Sequence, residues 1–302
     1  MKIALLTPRF PYPPYRGDRL TITKMLELFS RDHEVTLFAF LDGTEPPEAI
    51  ERVSRLCHAV ETVRLSRVRS WMQAWAALFT TTPSQVAYYG SHEMKERVRS
   101  RVASEHYDVV AVHLIRSAPL AEGLDHPGRV MWLQDSLGLS LVRAARFAPW
   151  WKRPGIAWEA WRINRYTARM TRLMQESWVL SEIDQRHLVS LGAERVVLVP
   201  HGIDLSMIDL VRDPAPEPEI VFLGNMSVPH NVDAAAFAAE EVLPLVRAVR
   251  PTARRRGRAP GRGRRARGLS RTARARRGGR RSTRRDRRLP TARAERRRRP
   301  AR

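Results

Sequence analysis

Short apolar runs recur along the chain, and between them apolar residues return at helical spacing. Ile3–Thr7, Glu34–Phe40 and Val60–Leu65 read as the first three strands. Val109–Val112, Val130–Leu133, Trp178–Leu180 and Val196–Val199 continue the series. Leu20, Ile22, Met25, Leu26 and Phe29 share one helical face, and Pro47–Cys57 predicts a further helix. Strands that alternate with helices predict a parallel sheet covered on both faces, an α/β domain of Rossmann-like order.

The pattern then restarts. Pro214, Pro216 and Pro218 form a stiff spacer of the kind found between domains. Glu219-Ile220-Val221-Phe222-Leu223 reads as a buried strand ending at Gly224, and Ala235, Phe237, Ala238, Val242 and Leu245 mark a helix after it. Past that helix the apolar pattern stops. The expected organisation is a first α/β domain at 1–205, a linker at 206–218, the start of a second domain at 219–253 and a tail at 254–302.

Charge sharpens the last boundary. The formal net charge is +23, of which the 24 Arg of residues 254–302, set against Asp286 and Glu295 alone, supply +22. The preceding residues are close to neutral, so the basicity belongs to the tail. With only Leu269 and Leu289 as larger apolar residues, the tail buries too little to offset an ordering cost of roughly 1–2 kcal/mol per residue, which predicts disorder. The single Cys57 forms no intramolecular disulfide, in keeping with a cytoplasmic setting. The apolar run at the N-terminus is short for a signal peptide, and Pro8 ends it. The longest apolar stretch, Trp71–Phe79, is about half the ~20 residues that a spanning helix needs.

Leu141–Met174 has a composition of its own: Trp150, Trp151, Trp158 and Trp161, eight basic residues, and Glu159 as the one acid. Two readings stand. One is an ordinary helix that packs its Trp face on the sheet. The other is a peripheral membrane contact, with the rings at headgroup depth.

Candidate chemistry falls where strands end. In an open α/β sheet, ligands bind outside the carboxyl ends of the strands. The loop Arg9-Phe10-Pro11-Tyr12-Pro13-Pro14-Tyr15-Arg16-Gly17-Asp18 follows the first strand. Gly17 at a helix start lets a ligand approach free backbone N–H groups, and Arg16 and Asp18 flank it. His113 ends the strand Asp108–Val112, and Asp135 and Ser136 end the next, where a helix N-cap is their plainer role. Gly202 and Asp204, in the turn Pro200-His201-Gly202-Ile203-Asp204, read as a hinge toward the second unit.

Together these segments resemble the retaining family 4, or group 1, glycosyltransferases. The turn Pro200–Asp204 is similar to that family's inter-domain P-x-G-x-D signature. Phe222-Leu223-Gly224-Asn225-Met226-Ser227-Val228-Pro229-His230-Asn231 resembles the opening of its donor domain, with Ala235, Phe237 and Pro244 in continuation. Together with Arg9–Pro14, this form is closest to a subgroup associated with exopolysaccharide synthesis, and the likeness covers Met1 to about Ala253.

The resemblance implies a GT-B fold: two Rossmann-like domains, the first complete and the second truncated, followed here by the Arg-rich tail. It implies transfer of a sugar from a nucleotide diphosphate to a saccharide or lipid-linked acceptor. The nucleotide sugar is then a co-substrate, with no other cofactor and no metal. By the same resemblance His113 contacts the transferred sugar, Gly17 faces donor phosphate and acceptor, and Gly224 and Asn225 lie near the donor diphosphate. The chain departs from the family in having Asn225 and Asn231 where basic residues are usual. It also lacks the E-x7-E motif, since Arg, Gly and Ala dominate where that motif belongs.

The tail has two explanations. An out-of-frame reading of a GC-rich gene accounts for its abrupt onset and for the absence of Lys; the residues before it have four Lys against 26 Arg. An Arg-rich arm that binds nucleic acid is the rival. The frame shift explains more, so no specific nucleic-acid partner is expected and this chain is expected to be inactive. A nucleotide-sugar epimerase of similar fold is a further alternative.

Overall fold

The computed structural model describes residues 1–14, 17–146, 148–202, 219–224, 226, 229–252 and 254–258. Arg16, Asp204 and Asn225, together with most of the tail (259–302) and its expected disorder, lie outside the described residues. The chain forms two compact units, Met1–Asp204 and Leu205–Arg302.

The first unit is α/β. Seven parallel strands, β1 (Lys2–Thr7), β2 (Glu34–Leu41), β3 (Ala59–Arg64), β4 (Val109–His113), β5 (Arg129–Gln134), β6 (Glu176–Val179) and β7 (Val196–Leu198), lie in the order β3-β2-β1-β4-β5-β6-β7. Their runs are apolar at nearly every position because both faces of the central strands are covered: residues 3–7 of β1 are all buried.

Two cores result, one on each face. Helices α1 (Gly17–Phe29) and α2 (Ala49–Ser54) press Ile22, Met25, Leu26 and Val53 onto Ile3, Leu5, Val35 and Leu37. Between β3 and β4 the chain adds α3 (Arg67–Ala76), α4 (Ser84–Ala87) and α5 (His92–Ser104), and later α6 (Ala118–Ala121), α7 (Leu137–Ala145), α8 (Arg153–Arg172) and α9 (Glu182–Ser190). Met94 and Val98 of α5, Leu120 of α6, Tyr166 and Met170 of α8 and Leu188 of α9 build the opposite core on Ala4, Leu6, Val112 and Met131.

The strand order reverses between β1 and β4. Successive connections leave β1 toward β2 on one side and, later, β4 toward β5 on the other, so their loops diverge and a crevice opens at the carboxyl ends.

Helix α8 shows which side chains of residues 153–172 face the sheet. Ala160, Ile163, Tyr166 and Met170 turn inward, while Trp158 and Trp161 are nearly half exposed and Trp150 and Trp151 more so. The Trp face therefore does not pack on the sheet. The inward stripe is set by Arg162, which is fully buried and donates to the carbonyls of Ala77, Thr80 (3.2 Å) and Thr82 (3.0 Å) and to Ser84 Oγ (3.0 Å). Its charge is met by Glu159 one turn earlier.

The second unit contains β8 (Glu219–Leu223), α10 (Pro229–Phe237), a π-helical turn (Ala238–Val242), α11 (Leu243–Val249) and β9 (Arg254–Arg258). Strand β9 pairs with β8 in parallel register, from Glu219 opposite Arg254 to Leu223 opposite Arg258. This corrects two expectations: the unit does gain a strand after its helix, and residues 254–258 are ordered as β rather than disordered. Strand pairing uses backbone N–H and C=O groups, which Arg and Gly carry like any other residue. The helical segment between the strands is long enough for a parallel crossover. Composition alone therefore did not exclude a strand there.

Candidate functional site

The loop after β1 is pinned at its start. Phe10 is fully buried and its N–H donates to Phe40 O (3.0 Å), which holds Arg9 at the edge of the crevice. Arg9 Nη1 pairs with Asp18 Oδ2 at 2.8 Å, and Arg9 Nε donates to Tyr89 Oη at 3.1 Å. Burial works to raise the Asp18 carboxyl, but the Arg9 charge and the Arg19 N–H outweigh it and hold Asp18 below the ordinary carboxylate range. Asp18 thus stays ionised at the first turn of α1, where the helix dipole also favours it.

Gly17, the first residue of α1, is exposed, and a methyl group placed on it would meet nothing within 4 Å. Among the described residues nothing presses on it, so a ligand could approach the first turn of α1 there.

His113 ends β4 and is fully buried. Gln134 Nε2 donates to its Nε2 over 3.1 Å, which places the ring proton on Nδ1. That Nδ1 is buried and has no partner among the described residues. Burial pushes the imidazole down to about 4; the Asp18 carboxylate opposes this and the Arg116 charge adds to it. At neutral pH the site therefore offers an uncharged imidazole with one unused N–H.

Two residues that flank this pair have left-handed backbones without being glycine: Leu114 (φ 63°) and Gln134 (φ 66°). Such conformations cost of order 1–3 kcal/mol and persist where the surroundings over-determine them. Here Leu114 N–H donates to Trp132 O (2.8 Å) and Leu180 N–H to Gln134 O (2.9 Å). The turn at Leu114 leads directly into the short 3₁₀ turn Ile115–Ser117, which carries Arg116.

Arg116 is the least expected member. Its Nη2 and Nε both donate to Gln85 Oε1, at 2.7 and 3.3 Å, and it makes no carboxylate salt bridge among the described residues. Burial lowers its pKa; Tyr89 opposes the shift and the neighbouring Arg9 cation adds to it. Asp135 and Asp18 lie within its electrostatic reach.

Asp135 accepts from Ser140 Oγ at 3.2 Å, and burial raises its carboxyl above the usual range, with Asp184 adding to the shift. Ser136 stands at the N-cap of α7, but its side chain makes no capping bond; its N–H donates to Asp184 Oδ1 (2.9 Å). Its Oγ is buried without a partner. Asp184 also anchors its own helix through Ser181, so this carboxylate ties the start of α7 to the start of α9.

The crevice therefore brings together Asp18, His113 and Asp135 of the expected set, with Gly17 at its helix and Ser136 beside Asp135. Gly202 is exposed with open space around it. Gly224 belongs to the second unit, where a methyl group would come within 3.0 Å of the Phe222 ring and 3.4 Å of Asn231 Cγ. Sequence reasoning missed Arg116, Gln134, Tyr89 and Gln85. A positional signal existed for the first two, since each lies at or just past a strand's carboxyl end. None existed for Tyr89 and Gln85, which arrive from the α4 region.

Among the described residues no cluster of three or more His, Cys, Asp or Glu could hold a metal ion. Chemically the crevice combines two partly buried guanidiniums, a helix N-terminus and a neutral N–H donor. That set suits an anionic, oxygen-rich ligand. Compared with known proteins, the chain matches no family model and no curated sequence. The fold and the crevice chemistry are thus the basis for any reading.

Proposed function

We propose that this chain is a glycosyltransferase of the retaining family 4 type with a GT-B fold. Its reaction moves a sugar from a nucleotide diphosphate to a saccharide or lipid-linked acceptor in surface or exopolysaccharide synthesis. The observation that carries the reading is Arg116: a partly buried cation, oriented by a neutral amide, beside an uncharged histidine at the reversal point of the sheet. A diphosphate leaving group needs fixed positive charge where its negative charge develops, and a low-dielectric crevice strengthens that interaction. Arg116, Arg9 and the N-terminus of α1 supply it on the first-unit side. His113 donates its Nδ1–H to a hydroxyl of the transferred sugar, while its neutral Nε2 accepts from Gln134. Gly17 admits the phosphate.

In this reading residues 254–302 come from a shifted frame, and the chain as it stands does not turn over. The test is genetic and enzymatic. The two other frames after codon 253 are translated, and the frame that continues an apolar strand and an E-x7-E motif is expressed. The restored protein hydrolyses or transfers from a nucleotide sugar, His113→Ala abolishes this, and the present chain shows none. If neither frame continues the fold, or the restored protein ignores every nucleotide sugar, the proposal fails.

A further inference from the structure

The first unit carries an aromatic surface that its own fold leaves uncovered. On α3 and the 3₁₀ turn after it, Trp71, Met72 and Trp75 are well over half exposed, and Phe79 is 92% exposed. On the other segment, Trp150 is 79% exposed, Trp151 62%, and Trp158 and Trp161 46–47%. Large apolar side chains scattered singly are ordinary, but a concentration of this kind marks an interaction site. Arg162 joins the two segments, because it lies on α8 beneath the Trp158 ring and donates to the carbonyl of Ala77, the residue just before Leu78 and Phe79.

The charge around these rings has one sign. Residues 66–85 contain Arg67 and Arg69 and no acid; of the eight cations in residues 141–174, Arg162 is buried on Glu159, their one acid, and Arg169 and Arg172 pair with Glu122 and Glu194, which leaves five at this face. Lys152 sits 4.7 Å above the Trp151 ring and Arg165 6.0 Å from that of Trp161. Neither is paired with a carboxylate among the described residues. Trp158 and Trp161 stack on each other with centroids 4.9 Å apart, so the rings form a continuous plate.

We infer that this surface docks on an anionic lipid bilayer, with the aromatic and aliphatic side chains entering the headgroup–acyl boundary and the flanking Arg and Lys meeting lipid phosphates. Cations at the rim with Trp, Phe, Met and Leu between them is the composition that such an interface selects. Among the described residues no helix is long and apolar enough to cross a membrane, so the contact lies in the plane of the surface. A second copy of the chain is a poor occupant, since symmetric pairing would set cation against cation. Nucleic acid uses stacking rings along a basic groove, and Met72 and Leu78 offer it nothing. The inference rests on this surface alone and is independent of the reaction in the crevice. The two are nonetheless linked: Gln85, which orients Arg116, donates its backbone N–H to Glu159 Oε1 at 3.2 Å, and Glu159 holds Arg162.

The test uses the full chain and reads the tryptophans, because residues 254–302 contain none and cannot contribute to the signal. Vesicles of phosphatidylcholine alone, or mixed with phosphatidylglycerol, are prepared with brominated acyl chains. On the anionic vesicles Trp emission shifts to the blue and is quenched by the bromine; on the neutral ones the effect is far weaker. The triple substitution Trp75→Ser, Phe79→Ser, Trp158→Ser abolishes the quenching although the tail still brings the protein to the vesicle. Exposed charge reversals, Lys152→Glu with Arg165→Glu, preserve the fold and weaken the affinity that the quenching reports by about tenfold or more, given roughly 1 kcal/mol for each basic residue near an anionic surface. Binding without quenching, quenching equal in the substituted chains, or Trp quenching by single-stranded RNA with none by vesicles would each overturn the inference.

Discussion

Nη2 of Arg116 donates to the side-chain oxygen of Gln85 across 2.7 Å, and Nε of the same guanidinium reaches that oxygen at 3.3 Å. A neutral amide thus fixes the direction of a partly buried cation without cancelling its charge. Gln85 is itself held through its backbone N–H by Glu159. The arrangement keeps positive charge available at the end of β4, which is what an anionic ligand requires.

Replacement of Arg116 by Gln should therefore remove binding strength and leave the fold intact. Inorganic pyrophosphate is the probe, and the imidazole resonances of His113 are the reader, so that binding to the Arg-rich tail does not count. The expected loss is about tenfold or more, the value of one charge-assisted hydrogen bond of roughly 1.5–3 kcal/mol. Unfolding in urea should show equal or slightly higher stability, because a partly desolvated cation with no carboxylate partner among the described residues has been removed. An unchanged affinity would show that the anion sits elsewhere.

His113 makes stability depend on pH. Its folded value is about 4, below the ordinary imidazole value of about 6.5. Between those values the unfolded chain binds a proton that the folded chain does not, so stability falls as pH drops from about 6.5 toward 4 and is fully present above that range. The contribution is roughly 3 kcal/mol. Urea unfolding of the wild type and of His113→Gln across this window should show the wild type losing stability relative to the variant on acidification; a flat difference contradicts a neutral, buried ring. The comparison matters because Asp135, with its raised carboxyl, contributes the opposite slope at acid pH and cancels in it.

Arg162 bears the largest structural load on this face. Substitution by Met leaves the partly buried Glu159 without its cation, beside carbonyls that have lost their donor. The expected cost is about 3–5 kcal/mol, as for other buried pairs broken on one side. An unfolding free energy from urea titration that falls by less than a third of that amount would show that the Thr80–Thr82 loop finds other donors.

Arg195 is exposed and has a left-handed backbone, φ 51°. Glycine adopts that conformation without strain, so Arg195→Gly should stabilise by roughly 0.5–1 kcal/mol despite the looser unfolded chain. A small rise in Tm checks it, and a fall would mean that the Arg side chain contributes packing along α9.

Much of the first unit was legible in order of appearance. The run Ile3–Thr7 is apolar throughout because β1 is buried on both faces, and a strand so placed needs no other signal. His113 and Asp135 were legible for a related reason: ligand-facing positions in an open parallel sheet are those where apolar strands end. Arg116 escaped notice because it lies three residues past β4, and only the left-handed turn at Leu114 brings it back over the crevice. Tyr89 and Gln85 carried no signal, since they reach the site from a segment far along the chain.

The sequence by itself determined the seven apolar strands, their alternation with helices and the end of the ordinary composition near residue 254. Each follows from local burial and charge, which neighbouring residues report on one another. Only the tertiary structure decided which face of α8 meets the sheet, because Trp158 and Trp161 are as apolar as Ile163 and Tyr166, and hydrophobicity alone cannot rank two faces. Burial of Arg162 against the carbonyls after α3 made that choice. Only the tertiary structure, too, added β9 to β8, since backbone pairing depends on what lies alongside and not on the side chains that a strand carries.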